Sequence, residues 1–377
     1  MEVWYGAEQV PATLSAPGDA GTVVTIGIFD GVHRGHQAIL TRVVERARQM
    51  ARPDGERPLA VAITFDPHPV LVHRPEARLP MIASLADRLA ALSATGLDAV
   101  LVVHYTLEFA DQSPEEFVRT WLEGLLGARM VVVGDDVRFG RGNSGDAALL
   151  EAICRADGLG VEILDDVRSP SGRRWSSTWV RELLEAGDMG GAAEVLGRAH
   201  RLRGTVVHGQ RRGRELGFPT ANLDAASAGV VPPDGVYAGW LVRSPGTIAL
   251  AGSRAGAPHE ERLPAAISIG THPTFDDVPA VPGTQSAEFL PAAISVGTNP
   301  QFGATERTVE AHVLGRADLD LYGEVVAIEL VRLLRPMLAF DSLEPLLVQM
   351  RQDVLDTAHV LAVPIPGPIR PEDVTAG

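Results

Sequence analysis

Thr25-Ile-Gly-Ile-Phe-Asp-Gly-Val-His-Arg-Gly-His36 is the stretch on which the reading of the first half of this chain turns. Upstream, Thr22 to Ile28 is an apolar run that reads as a buried strand, extending to about Phe29. Downstream, Ile39, Leu40, Val43, Val44 and Ala47 recur at helical spacing between Gln37 and Met50. A strand, a loop containing Gly27, Phe29, Asp30, Gly31 and Gly35, and then a helix start form an anion site. Unpaired N–H groups and the helix dipole both face such a loop. His33 and His36 lie three residues apart at that spot. Two imidazoles there can donate hydrogen bonds to a phosphate whose negative charge grows in a transition state. The spacing suggests nucleotidyl transfer; on its own it is also compatible with two histidines facing water at a helix start.

Composition removes several alternatives. All 33 basic residues are arginine, with no lysine anywhere in the 377 residues. A Walker-type phosphate loop and any lysyl intermediate are therefore excluded. Phosphate must be held by arginine, histidine, backbone N–H groups or metal, and arginine favours planar bidentate contacts. A net charge of −15 argues against nucleic acid or an anionic membrane as partner. The single cysteine, Cys154, permits neither a disulfide framework nor a cysteine zinc site, which fits a reducing, cytoplasmic setting. Met1-Glu2-Val3-Trp4 lacks the basic start of a secretory leader, and no run approaches a spanning helix. Length and 45% hydrophobic content predict two globular domains, and nothing in the composition sets the oligomeric state.

Strand-like and helical patterns alternate through the first half. Val23–Phe29, Leu59–Phe65, Ala99–His104, Met130–Gly134 and Val161–Leu164 are strand-like; Gln37–Met50, Ser84–Thr95, Pro114–Leu126 and Ala147–Ala156 are helical. Ser113-Pro114-Glu115-Glu116 is a capping box. The pattern predicts a doubly wound α/β fold with a parallel sheet covered on both faces. Polar signals follow three of the strands directly: Asp30 to His36, Asp66-Pro67-His68-Pro69, and Asp135-Asp136-Val137-Arg138-Phe139-Gly140. Ligands in such sheets bind beyond the strands' carboxyl ends, so these loops should converge on a nucleotide. Further on, Ser177 and Thr178 open a helix with Arg181 in its first turns and Gly187 as its stop, a second set of anion-binding groups or a plain capped helix.

From about Gly204 short strand-like runs dominate: Thr205–His208, Val236–Val242, Ala265–Ile269, Ala292–Val296, Thr308–Leu314 and Val325–Leu334. They predict a small antiparallel barrel or sandwich, followed by a helix over Leu343 to His359 and a flexible tail at 363–377. Leu263 to Asp276 recurs as Leu290 to Gly303 with ten of 14 positions identical. This reads as a local duplication in which the second copy, running directly into Arg307-Thr-Val-Glu310, holds the strand position.

Taken together, Thr25–His36, Thr64-Phe-Asp-Pro-His-Pro69, Phe139-Gly140 with Gly145-Asp146, and Ser176-Ser-Thr with Arg181 resemble the adenylyltransferase module of bacterial FAD synthetase. Gly213-Arg-Glu-Leu-Gly-Phe-Pro-Thr-Ala-Asn-Leu223, Gly235-Val-Tyr-Ala-Gly239 and Val309-Glu-Ala-His312 resemble a riboflavin kinase module. Their order is that of the bifunctional riboflavin kinase/FMN adenylyltransferase family, over roughly residues 20 to 355. The resemblance implies a Rossmann-like nucleotidyltransferase domain at 1–187 and a β-barrel kinase domain at 188–362, with an insertion at about 243–290. It implies riboflavin phosphorylated to FMN and FMN adenylylated to FAD, with ATP as co-substrate and Mg²⁺ as cofactor in both steps. By the same resemblance His33 and His36 stabilise the α-phosphate, and Ser177, Thr178 and Arg181 clamp phosphates. Gly213, Gly217 and Pro219 line the kinase nucleotide, Thr220 and Asn222 hold Mg²⁺–ATP, and Glu310 is the general base.

One departure stands out: Asp136 occupies a place where the family commonly has asparagine. If it faces phosphates, repulsion weakens binding unless metal or Arg138 neutralises it. A kinase with a degenerate adenylyltransferase module and a non-catalytic flavin-binding regulator are therefore carried as alternatives. A transferase for another phosphorylated alcohol, such as a cytidylyltransferase, fits the first domain alone.

Overall fold

Val23 and Val24 point to opposite sides of one strand, and both are fully buried. That is the signature of a sheet with apolar layers on both faces. The computed structural model describes residues 1–77, 79–208, 218–224, 228–243, 288–297, 308–316 and 319–367. The chain folds as two compact units: Met1–Leu79 with Leu85–Ser176, and Pro80–Ser84 with Ser177–Gly377.

The first unit holds six parallel strands: β1 (Glu2–Tyr5), β2 (Thr22–Ile26), β3 (Leu59–Asp66), β4 (Ala99–His104), β5 (Ala128–Gly134) and β6 (Gly160–Leu164). Their spatial order is β1-β4-β3-β2-β5-β6. The chain therefore moves one way from β2 and then returns to place β5 on its other side. The reversal makes the β2/β5 boundary the topological switch point, where doubly wound sheets bind ligands. The unit's helices are α1 (Arg34–Gln49), α2 (Pro69–His73), α3 (Leu85–Ser93), α4 (Leu107–Ala110), α5 (Pro114–Phe117) and α6 (Ala147–Ala156). α1 and α3 bury Leu40, Val43, Leu89 and Leu92 against Val23, Ala60, Ala62 and Val100. On the opposite face Phe117, Leu122, Leu150 and Ile153 pack against Val24, Val61, Ile63 and Val131.

The doubly wound expectation is met, with local differences. β1 is not among the expected strands, because four residues with one buried side chain, Trp4, give no usable alternation. The expected helix over 114–126 is α5 followed by a π-helical stretch, Val118–Leu125, and its capping box forms as read. β2 ends at Ile26 rather than Phe29, since Gly27 makes the last ladder bond to Ile63.

The second unit opens with α7 (Ser177–Glu185) and α8 (Met189–Leu196). Gly187, at φ 74°, turns the chain between them, as its position predicts. Six antiparallel strands then close a barrel: β7 (His200–Val207), β8 (Ala221–Leu223), β9 (Gly235–Arg243), β10 (Glu288–Gly297), β11 (Thr308–Val313) and β12 (Val325–Pro336), ordered β10-β11-β8-β7-β12-β9. Periodicity alone admits either a barrel or a sandwich; the closed strand order makes it the barrel. α9 (Leu343–Val360) follows, anchored by the buried Asp353, which accepts two bonds from Arg335 of β12 at 2.8 and 2.6 Å. At Gly239 the β9 backbone runs so close to β12 that a Cβ would lie 2.1 Å from the Glu329 carbonyl.

β10 is built from the second copy of the duplicated segment, as its continuity with β11 suggests. The first copy, including Ala265–Ile269, lies outside the described residues, as do the residues of the tail from 368. Arg243 and Glu288 are direct cross-strand partners, so segment 244–287 joins two points already held together by the ladder. Closing a long loop costs only logarithmically in its length. Removing residues 265–286 is therefore expected to leave riboflavin phosphorylation within about threefold of the intact chain. Steady-state flavin assays on the purified deletion check this. The cut must stop short of Glu288 and Phe289, which are part of β10.

Candidate active sites

α1 begins at Arg34 because His33 caps it: the His36 backbone N–H donates to His33 Nδ1 at 3.3 Å. An accepting Nδ1 carries no proton, so neutral His33 bears its hydrogen on Nε2. The two imidazoles are stacked, centroids 3.6 Å apart, and Phe29 meets His36 edge-on at 5.3 Å. His33 is buried, and His36 Nδ1 is a buried nitrogen with no hydrogen-bond partner. Burial, then the neighbouring His33, then Arg174 hold the His36 pKa well below 6.5, so it is neutral at pH 7.

The loop before the cap is strained. Phe29 (φ 53°) and Val32 (φ 42°) flank Gly31 (φ 80°), all left-handed. A β-branched residue there is a true outlier, costing about 1–3 kcal/mol. The Gln37 amide stabilises the turn by donating to the Val32 carbonyl at 2.8 Å. Gly27 is required for a different reason, since a Cβ would fall 2.8 Å from the Phe29 ring. Gly35 packs where a Cβ would lie 3.1 Å from both the His33 ring and the Trp175 carbonyl. Asp30, within the same loop, is buried.

The other two loops also lie at the carboxyl edge of the sheet. Asp66 ends β3, and His68 caps α2 through its Nδ1. Asp136 follows β5 and is paired with Arg174, whose Nε also reaches Asp166 at 2.7 Å. Arg138 does not neutralise Asp136; its guanidinium donates to the adjoining Val137 carbonyl at 2.7 Å. The nearer partner comes from the segment before α7, a pairing that sequence distance hides. Ser177, Thr178 and Arg181 sit on α7 of the second unit, where Arg181 Nε donates to the Pro80 carbonyl at 3.3 Å.

In the barrel, β11 and β8 pair so that Glu310 stands directly opposite Asn222. Asn222 is buried, and its amide lies 3.4 Å from the Thr220 hydroxyl. Thr308 Oγ1 approaches Glu310 Oε1 at 3.3 Å. Burial raises the Glu310 carboxyl above its ordinary value, opposed weakly by that hydroxyl. His312 lies two residues on, hence on the Glu310 face, and its Nδ1 donates to the Pro219 carbonyl at 2.9 Å. Its burial lowers its pKa, so it is a neutral strut for the Pro219–Thr220 turn. A cleft beside this ladder is lined by Thr220, Ala221, Ala311, Val206 and Tyr322. Gly213 and Gly217 lie outside the described residues.

Comparison with known proteins accords with this division. Residues 16–179 match the family model for FAD synthetase, and residues 196–361 match that for riboflavin kinase. A Listeria monocytogenes bifunctional riboflavin kinase/FMN adenylyltransferase is 30% identical over 355 residues, covering 93% of this chain and 96% of its own. The chain belongs to the bifunctional riboflavin kinase/FMN adenylyltransferase family. The Escherichia coli K12 member is 31% identical over 347 residues, 91% of this chain and 93% of its own. A solved Streptococcus pneumoniae structure, described as a macrolide-efflux protein, aligns over 95% of this chain and 99% of that one, with TM-score 0.71 and 25% identity. Among the described residues of this family member, no helix is long and apolar enough to cross a membrane.

Within that family frame, Arg174, Thr308 and His312 are site neighbours to which sequence reasoning gave no role. Arg174 had a usable signal, because an arginine ahead of Ser176-Ser-Thr is an obvious counter-charge for an acidic loop. Thr308 and His312 had a weaker one, sharing the strand face of Glu310 at spacing two.

Proposed function

We propose that this chain phosphorylates riboflavin to FMN in the barrel domain and adenylylates FMN to FAD in the α/β domain. It is a transferase of phosphorus-containing groups acting on riboflavin, FMN and ATP. The observation carrying the reading is that two unlike phosphate-handling arrangements occur in one chain: stacked imidazoles at a helix start, and a half-buried carboxylate opposite an amide in a barrel.

In the first step the ribityl hydroxyl attacks the γ-phosphorus of ATP, and the bond to the β–γ bridging oxygen breaks to release ADP. Glu310 orients that hydroxyl and accepts its proton, a role suited to a carboxyl whose pKa burial has raised. In the second, an FMN phosphate oxygen attacks the α-phosphorus of another ATP and pyrophosphate leaves. His33 and His36 donate to the α-phosphate oxygens as charge develops there. Ser177, Thr178 and Arg181 hold phosphate oxygens. Within the first unit, Gly27, Phe29, Asp30, Gly31 and Gly35 shape the loop that carries His33.

Mg²⁺ fits the donor set. Thr220 and Asn222 offer two hard, neutral oxygens, and among the described residues no group of three or more His, Cys, Asp or Glu side chains forms a cage. That suits an ion bound chiefly through nucleotide phosphates and water. When bound, it supplies neutralisation of phosphate charge. The degenerate-module alternative loses its motive, since Arg174 compensates Asp136. The buried Cys154 thiol, its pKa pushed up to about 12 by burial, is inert and suits a reducing cytoplasm.

Incubating the purified chain with riboflavin, ATP and Mg²⁺ and separating the flavins tests the reading. FMN should appear first and FAD after it. Accumulation of FMN without FAD refutes the second step; unconsumed riboflavin refutes the first.

A further inference from the structure

We propose that Arg88 is a positioning residue for adenylyl transfer, one side chain that sets the spacing of the two loops bordering the nucleotide crevice. This rests on the reading that the α/β domain adenylylates FMN. Arg88 occupies the i+3 place of a Leu85, Leu89, Leu92 stripe on α3, a place that ordinarily holds an apolar residue. It is 1% exposed, the bulkiest fully buried side chain among the described residues. A buried guanidinium is costly unless its donors are matched. Here Nη1 donates to the Ile28 carbonyl at 3.1 Å, and Nη2 to the Phe65 carbonyl at 3.1 Å and Asp66 Oδ1 at 3.4 Å.

All three acceptors sit at the carboxyl ends of β2 and β3, neighbours in the sheet. Ile28 leads directly into Phe29-Asp30-Gly31 and the imidazole cap, and Asp66 opens the Asp66-Pro67-His68 loop. Arg88 thus ties the strained turn before His33 to the loop after the neighbouring strand β3. Nε has no partner, so the side chain is not optimised for hydrogen bonding alone. Its geometry serves the two loops. Burial lowers the Arg88 pKa from its ordinary value, and the Asp66 and Asp30 charges oppose that effect.

The test compares Arg88→Met and Arg88→Lys in the full chain, assaying FAD from supplied FMN and, as an internal control, FMN from riboflavin. Rates are taken at temperatures where circular dichroism shows each protein folded. Misplacing reacting groups by about 1 Å costs on the order of 10²-fold. Arg88→Met should lose about that much adenylyl kcat. Its KM for ATP should move less than about threefold, because the backbone N–H groups of α1 still bind phosphate. Kinase turnover should be unchanged. Arg88→Lys should recover about tenfold or more, since an ammonium can still reach the carbonyls.

Wild-type adenylyl kcat in Arg88→Met overturns the proposal. So does loss of activity that lysine does not recover and that tracks the melting temperature. If Arg88→Met does not fold, Arg88→Gln takes its place, and equal rates for Gln and Lys overturn the proposal. A wild-type chain that makes FMN but no FAD refutes the adenylylation reading instead.

Discussion

Replacing His36 with alanine is expected to slow FAD formation from supplied FMN by about 10²- to 10³-fold while leaving riboflavin phosphorylation untouched. His36 is a cleaner probe than His33, whose ring also caps α1. Losing that cap would cost about 1 kcal/mol and mix a folding effect with a chemical one. The buried, unpartnered Nδ1 of His36 and the stack against His33 fix the ring's position. Its depressed pKa keeps it neutral before nucleotide arrives. A bound triphosphate brings opposite charge and counters two of the causes of that depression, the cationic Arg174 and its partner imidazole. Single-turnover FAD formation by the alanine variant, at saturating ATP and FMN, checks the expectation. A rate within about threefold of wild type would remove His36 from the chemistry.

Glu310→Gln should produce the converse pattern, with FMN formation falling by about 10²- to 10⁴-fold and FAD formation from supplied FMN unchanged. Glutamine preserves shape and the strand partner but cannot accept a proton. Because burial raises the Glu310 pKa, the wild-type kinase should lose kcat/KM on its acid side at a pH above the ordinary glutamate value of 4.5. The stability sign runs the other way from activity. A carboxyl whose folded pKa is raised weakens the folded state at pH values above its unfolded pKa. Glu310→Gln should therefore melt no lower than wild type at pH 7, which separates lost chemistry from lost structure. A quantitative kinase pH profile and a thermal melt of the same preparation decide the matter.

The architecture was legible where periodicity and loop chemistry agreed. Ile39, Leu40, Val43 and Val44 announce α1, and the polar loops after β2, β3 and β5 announce the crevice. Ala147–Ala156 forms α6 with the expected ends. Elements with few side chains to pattern were not legible. β1 buries only Trp4, and β8 is three residues that read as a turn after Pro219. Candidate site residues carried by a motif could be named from the sequence, whereas neighbours defined by long-range charge could not. Arg174 meets Asp136 across 38 positions, and Arg88 meets Ile28 across 60. An arginine inside a leucine stripe was a signal, but one that a helical pattern search discards as an exception.

The opposition of Glu310 and Asn222 makes the proposed kinase site a matter of parity. Were β11 to slide one position along β8, Ala311 would face Asn222 and the carboxylate would turn to the other wall of the barrel. A two-position slide would keep the wall but carry the carboxylate about 7 Å away. β8 is too short to resist either error alone, and Val206 and Val207 of β7 grip it from the far side. A shift of β7 along β8 would therefore silence phosphorylation without altering a single polar side chain of the proposed site.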